Sequence, residues 1–219
     1  MIEALTVGPL GERCYILPAE EAGTCILVDP GDEARRILAR LGELGLQPAV
    51  IAFTHGHLDH TAALPDILEA LGREGRQTLV AIHREDAPYL GEGAEEKNRL
   101  TFSTIRAMGF FKHYFRPMPK ASLIVADGDL IPGSTWKVIH TPGHTRGSVC
   151  FYDEKAGILV SGDTLFLDGV GRTDGPDSDT TALEASIQKK LFCLPASTIV
   201  YPGHGEPTTI GHERGDRAR

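Results

Sequence analysis

The chain has 219 residues, 41% of them hydrophobic and 24% charged, which is ordinary globular composition and enough to bury a sizeable core. A formal net charge of −8 argues against a nucleic-acid partner, because a phosphate backbone calls for a basic surface. No apolar run approaches the roughly 18 residues of a membrane span, and Met1-Ile2-Glu3-Ala4 has neither a basic flank nor an apolar signal core, so a soluble, cytoplasmic protein with no membrane partner is expected.

In chain order, Ile2–Val7, Cys14–Leu17 and Cys25–Val28 read as short strands, broken by Gly8-Pro9, Pro18 and Pro30-Gly31. Asp32 is placed to cap a helix over Asp32–Leu44, with Ile37, Leu38, Leu41 and Leu44 on one face. A buried strand, Val50–Phe53, precedes a histidine-rich loop and a helix over Thr61–Leu71, in which Ala62, Leu64, Ile67, Leu68 and Leu71 recur on a helical period. Strand Leu79–Ile82 follows. From about Pro88 to Lys120 the pattern changes to Phe102, Phe110, Phe111, Tyr114 and Phe115 among lysines and arginines, a helical excursion over the site. Strands Trp136–His140, Val149–Tyr152 and Ile158–Val160, a helix Thr180–Leu191 and a strand Thr198–Tyr201 complete the series, and the tail Glu213–Arg219 is expected to fray. Strands that first run together and then alternate with helices suggest a layered α/β sandwich, with one domain as the default. Cys14, Cys25, Cys150 and Cys193 are separated, each in or beside an apolar segment, as reduced, packed cysteines are.

The segment Thr54-His55-Gly56-His57-Leu58-Asp59-His60 puts three imidazoles and a carboxylate within six positions, the donor types that zinc or iron prefers. In an extended loop His55 and His57 project to the same side, so one metal can take both. Asp59 and His60 come where the chain turns into the helix and can point away, which suits two adjacent metals. Three later segments put a His or Asp just past a strand and beside glycine: His140-Thr141-Pro142-Gly143-His144, Ser161-Gly162-Asp163-Thr164 and Tyr201-Pro202-Gly203-His204-Gly205. The candidate metal ligands are therefore His55, His57, Asp59, His60, His144, Asp163 and His204. His83, His113 and His212 are read as non-ligands, and His140 as a structural histidine at a strand end.

The order His-x-His-x-Asp-His, Thr-Pro-Gly-His-Thr, Ser-Gly-Asp-Thr and Pro-Gly-His-Gly resembles the metallo-β-lactamase superfamily, and within it the glyoxalase II-like hydrolases, from Gly11 to about Glu213. The resemblance implies a four-layer αβ/βα sandwich over a single domain, residues 1–219. It implies two divalent metal ions, Zn²⁺ foremost and Fe or Mn otherwise: His55, His57 and His144 would hold one, Asp59, His60 and His204 the other, and Asp163 would bridge them. Two such cations about 3.5 Å apart bring the pKa of a shared water from 15.7 toward about 7, so a metal-bridging hydroxide would be the nucleophile on a thioester carbonyl. Asp59 would be the catalytic carboxylate that orients that hydroxide.

The substrate so implied is S-D-lactoylglutathione or a related small-molecule thioester. The glutathione-binding C-terminal helical domain of glyoxalase II proper is not expected here, and the sequence looks more like the short bacterial glyoxalase II-type proteins. The stretch 165–174 resembles the family's substrate loop, with Arg172 as a guanidinium clamp for an anionic group. The competing reading is a persulfide dioxygenase-like enzyme of the same superfamily, with one iron on His55, His144 and Asp163. A monomer or homodimer fits either reading.

Overall fold

A computed structural model describes residues 2–215; the part of the expected tail from position 216 on lies outside the described residues. The first half begins with β1 (Glu3–Val7), β2 (Glu12–Pro18) and β3 (Thr24–Val28), followed by α1 (Ala34–Leu44) and β4 (Gln47–Ala52). Then come a one-turn helix α2 (Leu58–Thr61), α3 (Leu64–Arg73), β5 (Leu79–His83), α4 (Ala94–Thr104), α5 (Met108–Tyr114) and β6 (Leu123–Val125). The six strands form one sheet in sequential order, antiparallel from β1 to β3 and parallel from β3 to β6. The second half holds β7 (Lys137–His140), β8 (Val149–Asp153), β9 (Ile158–Gly162), a small hairpin of β10 (Leu165–Phe166) and β11 (Gly169–Val170), α6 (Thr180–Ser186), β12 (Ile199–Pro202), β13 (Thr208–Thr209) and α7 (Ile210–Glu213). Its sheet runs β13-β12-β9-β8-β7, with β9 and β12 parallel and the other neighbours antiparallel.

Strand residues alternate between two faces, and here both faces are buried. In β3, Cys25 and Leu27 pack toward the helices with Ile37, Leu41, Leu64 and Ile67, whereas Ile26 and Val28 pack toward the other sheet with Trp136, Val138 and Phe151. A third cluster, including Leu159, Leu183, Ile187, Leu191 and Val200, joins the second sheet to α6. The layers are helix, sheet, sheet, helix, which is the expected four-layer αβ/βα sandwich. Polar pins cross its centre: Trp136 Nε1 donates to Pro18 O at 3.2 Å and Tyr15 Oη to Pro202 O at 2.6 Å.

Several boundaries differ from the sequence reading. Asp32 does not cap α1: the helix starts at Ala34 because Glu33 takes a left-handed conformation (φ 53°), and Asp32 Oδ1 accepts from the Glu33 amide instead. Leu44 is more than a third exposed, so the buried face rests on Ile37 and Leu41. The helix expected over Thr61–Leu71 is two helices, broken at Ala62-Ala63, with Pro65 in the first turn of the second, where its missing N–H costs nothing. Likewise α6 gives way to a π-helical turn over Ile187–Leu191. Cys193 is exposed, unlike the three buried thiols.

Candidate metal centre

All seven candidate donors lie along one edge of the sandwich. His55 and His57 sit in the loop leaving β4, and Asp59 and His60 on α2, which turns them out of that loop. His144, Asp163 and His204 follow β7, β9 and β12. Donor atoms of His55, His57 and His144 lie within 4.8 Å of one another, and so do those of Asp59, His60 and His204. Asp163 stands between the sets: its Oδ2 is 3.6 Å from His144 Nε2, while its Oδ1 is 3.4 Å from His60 Nε2 and 3.8 Å from His204 Nε2. These contacts form two groups of three donors with one carboxylate between them.

The nitrogens that face away from the centre are tied down. His60 Nδ1 donates to Asp29 Oδ2 (3.0 Å), His144 Nδ1 to Arg172 O (2.8 Å) and His204 Nδ1 to Leu10 O (3.1 Å). The Thr54 hydroxyl donates to Asp29 Oδ2 at 2.5 Å, so it accepts from His55 Nδ1 at 3.2 Å. This network orients each of these rings with Nε2 aimed inward, the nitrogen a metal would take. The Nε2 atoms of His55 and His60 and Oδ1 of Asp163 are buried without a hydrogen-bond partner among the described residues. Orphaned buried atoms of this kind are costly, and a divalent cation in each set would satisfy them. Imidazole with carboxylate suits zinc, iron or manganese.

Electrostatics differ between the sets. Burial, reinforced by His144, pushes the His57 imidazole down to about 3, and burial with the neighbouring imidazoles holds His55 well below its ordinary value. Both therefore stay neutral ligands. Burial also opposes charge on His60 and His204, but Asp163 and Asp59 outweigh it and raise both. Asp163 is held well below the usual carboxylate range by His60 and His144 in spite of its burial.

The family described as the Metallo-beta-lactamase superfamily matches residues 7–204. The chain belongs to the metallo-β-lactamase superfamily. It is 31% identical over 223 residues to a hydroxyacylglutathione hydrolase, GloC, of Haemophilus influenzae, covering 97% of this chain and 94% of that protein. Among solved structures, TTHA1623 in a di-iron-bound form aligns with a TM-score of 0.81 and 36% identity, over 97% of this chain and 96% of that one. BLEG-1, a B3 metallo-beta-lactamase, aligns at 0.82 and 32%, over 99% and 97%.

On this metallo-β-lactamase scaffold four of the donors, His57, Asp59, His144 and Asp163, line a cavity of about 230 Å³ walled by Leu10, Phe102, Ile105 and Phe110, so the aromatic excursion reaches over the site. A larger cavity of about 690 Å³, between segments 87–95 and 115–124, holds none of the donors. Arg172 lines the smaller one, its guanidinium held bidentate by Asp174 (Nε–Oδ1 2.6 Å, Nη2–Oδ2 2.7 Å) and half exposed. Beside it, Asp177 takes an ion pair from Lys97 of α4 and a 3.0 Å hydrogen bond from Tyr89, whose ring packs edge-on to His57. His140 stacks on His83 at 4.0 Å and bonds Arg146 O, a structural role. His212 meets Asp168 and Glu213 in an exposed ion-pair cluster.

Three buried acids escaped the sequence reading. Asp29 carries His60 and Thr54, and it had the same signal as Asp163: an acid just past a strand, beside Pro30-Gly31. Asp86 accepts from Gly56 N, Gly147 N and Thr145 Oγ1 at 2.7–2.8 Å, joining the two histidine loops. Glu12 is buried with neither carboxylate oxygen hydrogen-bonded among the described residues.

Proposed function

We propose that the chain is a binuclear metal-dependent thioester hydrolase, glyoxalase II-like, that acts on S-D-lactoylglutathione or a related thioester in the cytoplasm, with one catalytic domain. The observation that carries this reading is the division of Asp163 between two complete donor sets. A one-iron site needs only His55, His144 and Asp163, and leaves His57, Asp59, His60 and His204 without a purpose. In the proposal His55, His57 and His144 hold one cation, Asp59, His60 and His204 the other, and Asp163 both; zinc is the first choice, with iron or manganese the alternatives. The di-iron-bound TTHA1623 supports a pair of metals, and GloC the substrate class.

Two divalent cations there supply Lewis acidity to a carbonyl and bring the pKa of water toward about 7. The residues do the rest. Leu10, Phe102, Ile105 and Phe110 exclude bulk solvent, which strengthens every charge interaction inside. Asp59 Oδ2 faces His204 at 3.4 Å, and its other oxygen is the one proposed to accept a hydrogen bond from the attacking water. Arg172 clamps an anionic part of the substrate, exchanging Asp174 for it. Hydrolysis adds water across the C–S bond and yields a carboxylate and a thiol, with no protein nucleophile.

The deciding experiment combines metal analysis of the purified protein with thioester hydrolysis and O₂-uptake assays. Two metals per chain and chelator-sensitive hydrolysis are expected. One iron per chain with O₂ consumption on a persulfide and no hydrolysis sinks the reading and leaves the dioxygenase in its place.

A further inference from the structure

Glu12 opens β2, and its carboxylate points beneath the second donor set. It is 1% exposed, and neither oxygen has a hydrogen-bond partner among the described residues. Its nearest potential counter-charge is His60 Nδ1, 3.8 Å from Oε1, on a ring whose other nitrogen faces Asp59 and Asp163. The chain leaves little room for anything else: a Cβ built on Gly31 falls 2.8 Å from Glu12 Oε2 and 1.6 Å from the Asp59 carbonyl oxygen. The backbone of Glu12 forms an isolated β-bridge with His204, and the amide of Arg13 donates to Gly203 O at 2.8 Å. Glu12 is thus anchored against His204 and lies beside His60, yet its side chain makes no hydrogen bond among the described residues that would explain a buried carboxylate.

A buried carboxylate is costly unless a charge compensates it. Without metal, compensation would rest on His60, and Asp29, Asp59 and Asp163 crowd the same imidazole. With both sets filled, the four positive charges of two divalent cations would face four buried or half-buried acids, Glu12, Asp29, Asp59 and Asp163. We propose that Glu12 is a positioning residue for the second metal, a buried counter-charge that acts through His60 and tightens the hold of Asp59, His60 and His204 on a divalent cation. Asp29 makes the hydrogen bond that orients the ring; Glu12 adds charge alone. The proposal rests on the two-metal reading above.

Because the Glu12 side chain makes no hydrogen bond, Glu12→Gln removes the charge and keeps the shape. The test is zinc binding to metal-free protein against a competing chelator, with thermal melts of the metal-free and zinc-loaded forms. Wild type is expected to take two Zn²⁺. In Glu12→Gln one of the two should weaken roughly 10- to 100-fold, the range for loss of a partner behind a metal ligand, while the other is unchanged. The zinc-induced rise in Tm should shrink, with the metal-free Tm no lower than wild type. Glu12→Asp, which keeps the charge, should restore the second affinity to within a few-fold. Two unaltered zinc sites in Glu12→Gln overturn the role of Glu12 and leave the two-metal reading standing, as does equal weakening of both. A wild type that binds a single zinc overturns both. Should Glu12→Gln not fold, Glu12→Asp decides, and loss of the second zinc there overturns the proposal.

Discussion

Gly203 offers a sharp perturbation of the site. Its amide donates to Gly162 O at 2.9 Å and its carbonyl accepts from Arg13 N at 2.8 Å, so the backbone is pinned on both sides. A Cβ built there falls 2.3 Å from Asp163 Oδ1, 2.8 Å from His60 Cε1 and 3.1 Å from Gly162 C, whereas real Cβ contacts under 3.0 Å are essentially never seen. In Gly203→Ala the backbone cannot retreat, so Asp163 must swing away, and the oxygen displaced is the one that faces His60 and His204. Overpacking of this kind costs about 1–3 kcal/mol, and at roughly 2–4 °C per kcal/mol for a chain of this size the melting temperature should fall by several degrees. Displacing a reacting group by on the order of 1 Å costs roughly 10²-fold in rate, so kcat/KM should fall by about that factor. Zinc analysis, melts and thioester hydrolysis on the same preparation read all three. Full zinc content with wild-type turnover would show that Asp163 is not shared between the sets.

Other residues give further expectations. In metal-free protein, burial holds His57 at about 3 when folded against 6.5 unfolded; such a group stabilises above pH 6.5 and loses that contribution as pH falls toward about 3. His57→Gln should therefore lose stability less steeply than wild type between pH 6.5 and 4 in the presence of a chelator, by less than the about 1.4 kcal/mol per pH unit that one fully linked proton allows; equal slopes would refute the burial argument. Arg172→Ala should raise KM for an anionic thioester roughly tenfold with little change in kcat, while Asp174→Asn, which frees the guanidinium, should lower KM. Unchanged KM in both would return Arg172 to a surface ion pair. Tyr89→Phe removes the hydroxyl shared by Thr101 and Asp177, which should cost about 1 kcal/mol and loosen α4 from the Arg172 loop, read as a lower Tm and a higher KM.

Five of the candidate donors, His55, His57, His144, Asp163 and His204, were legible through a shared local signature, a His or Asp just past an apolar strand and beside glycine, and Asp59 and His60 through the density of the cluster they close. Strands buried on both faces, such as Cys25–Val28, were legible as unbroken apolar runs. What the sequence hid was set by tertiary context. The start of α1 depends on the left-handed Glu33, which no propensity favours. β6 spans only Leu123–Val125 and pairs along one edge with β5, too short to show a period. Asp86 and Glu12 look like ordinary solvated acids until strands far apart in the chain enclose them, and Asp177 is an unremarkable loop acid until Tyr89 and Lys97 reach it from across the pocket. Long-range burial gives a side chain its role at these positions, and its neighbours in sequence do not encode it.

The two donor sets also bear on how the molecule holds together. Each draws two members from the first sheet's loops and one from the second's, so neither half owns a complete set. A cation in either position would rivet the two sheets to each other. A chain severed at the exposed Pro132-Gly133 turn would yield fragments that each lack a site, and tight zinc uptake would then report their reassociation.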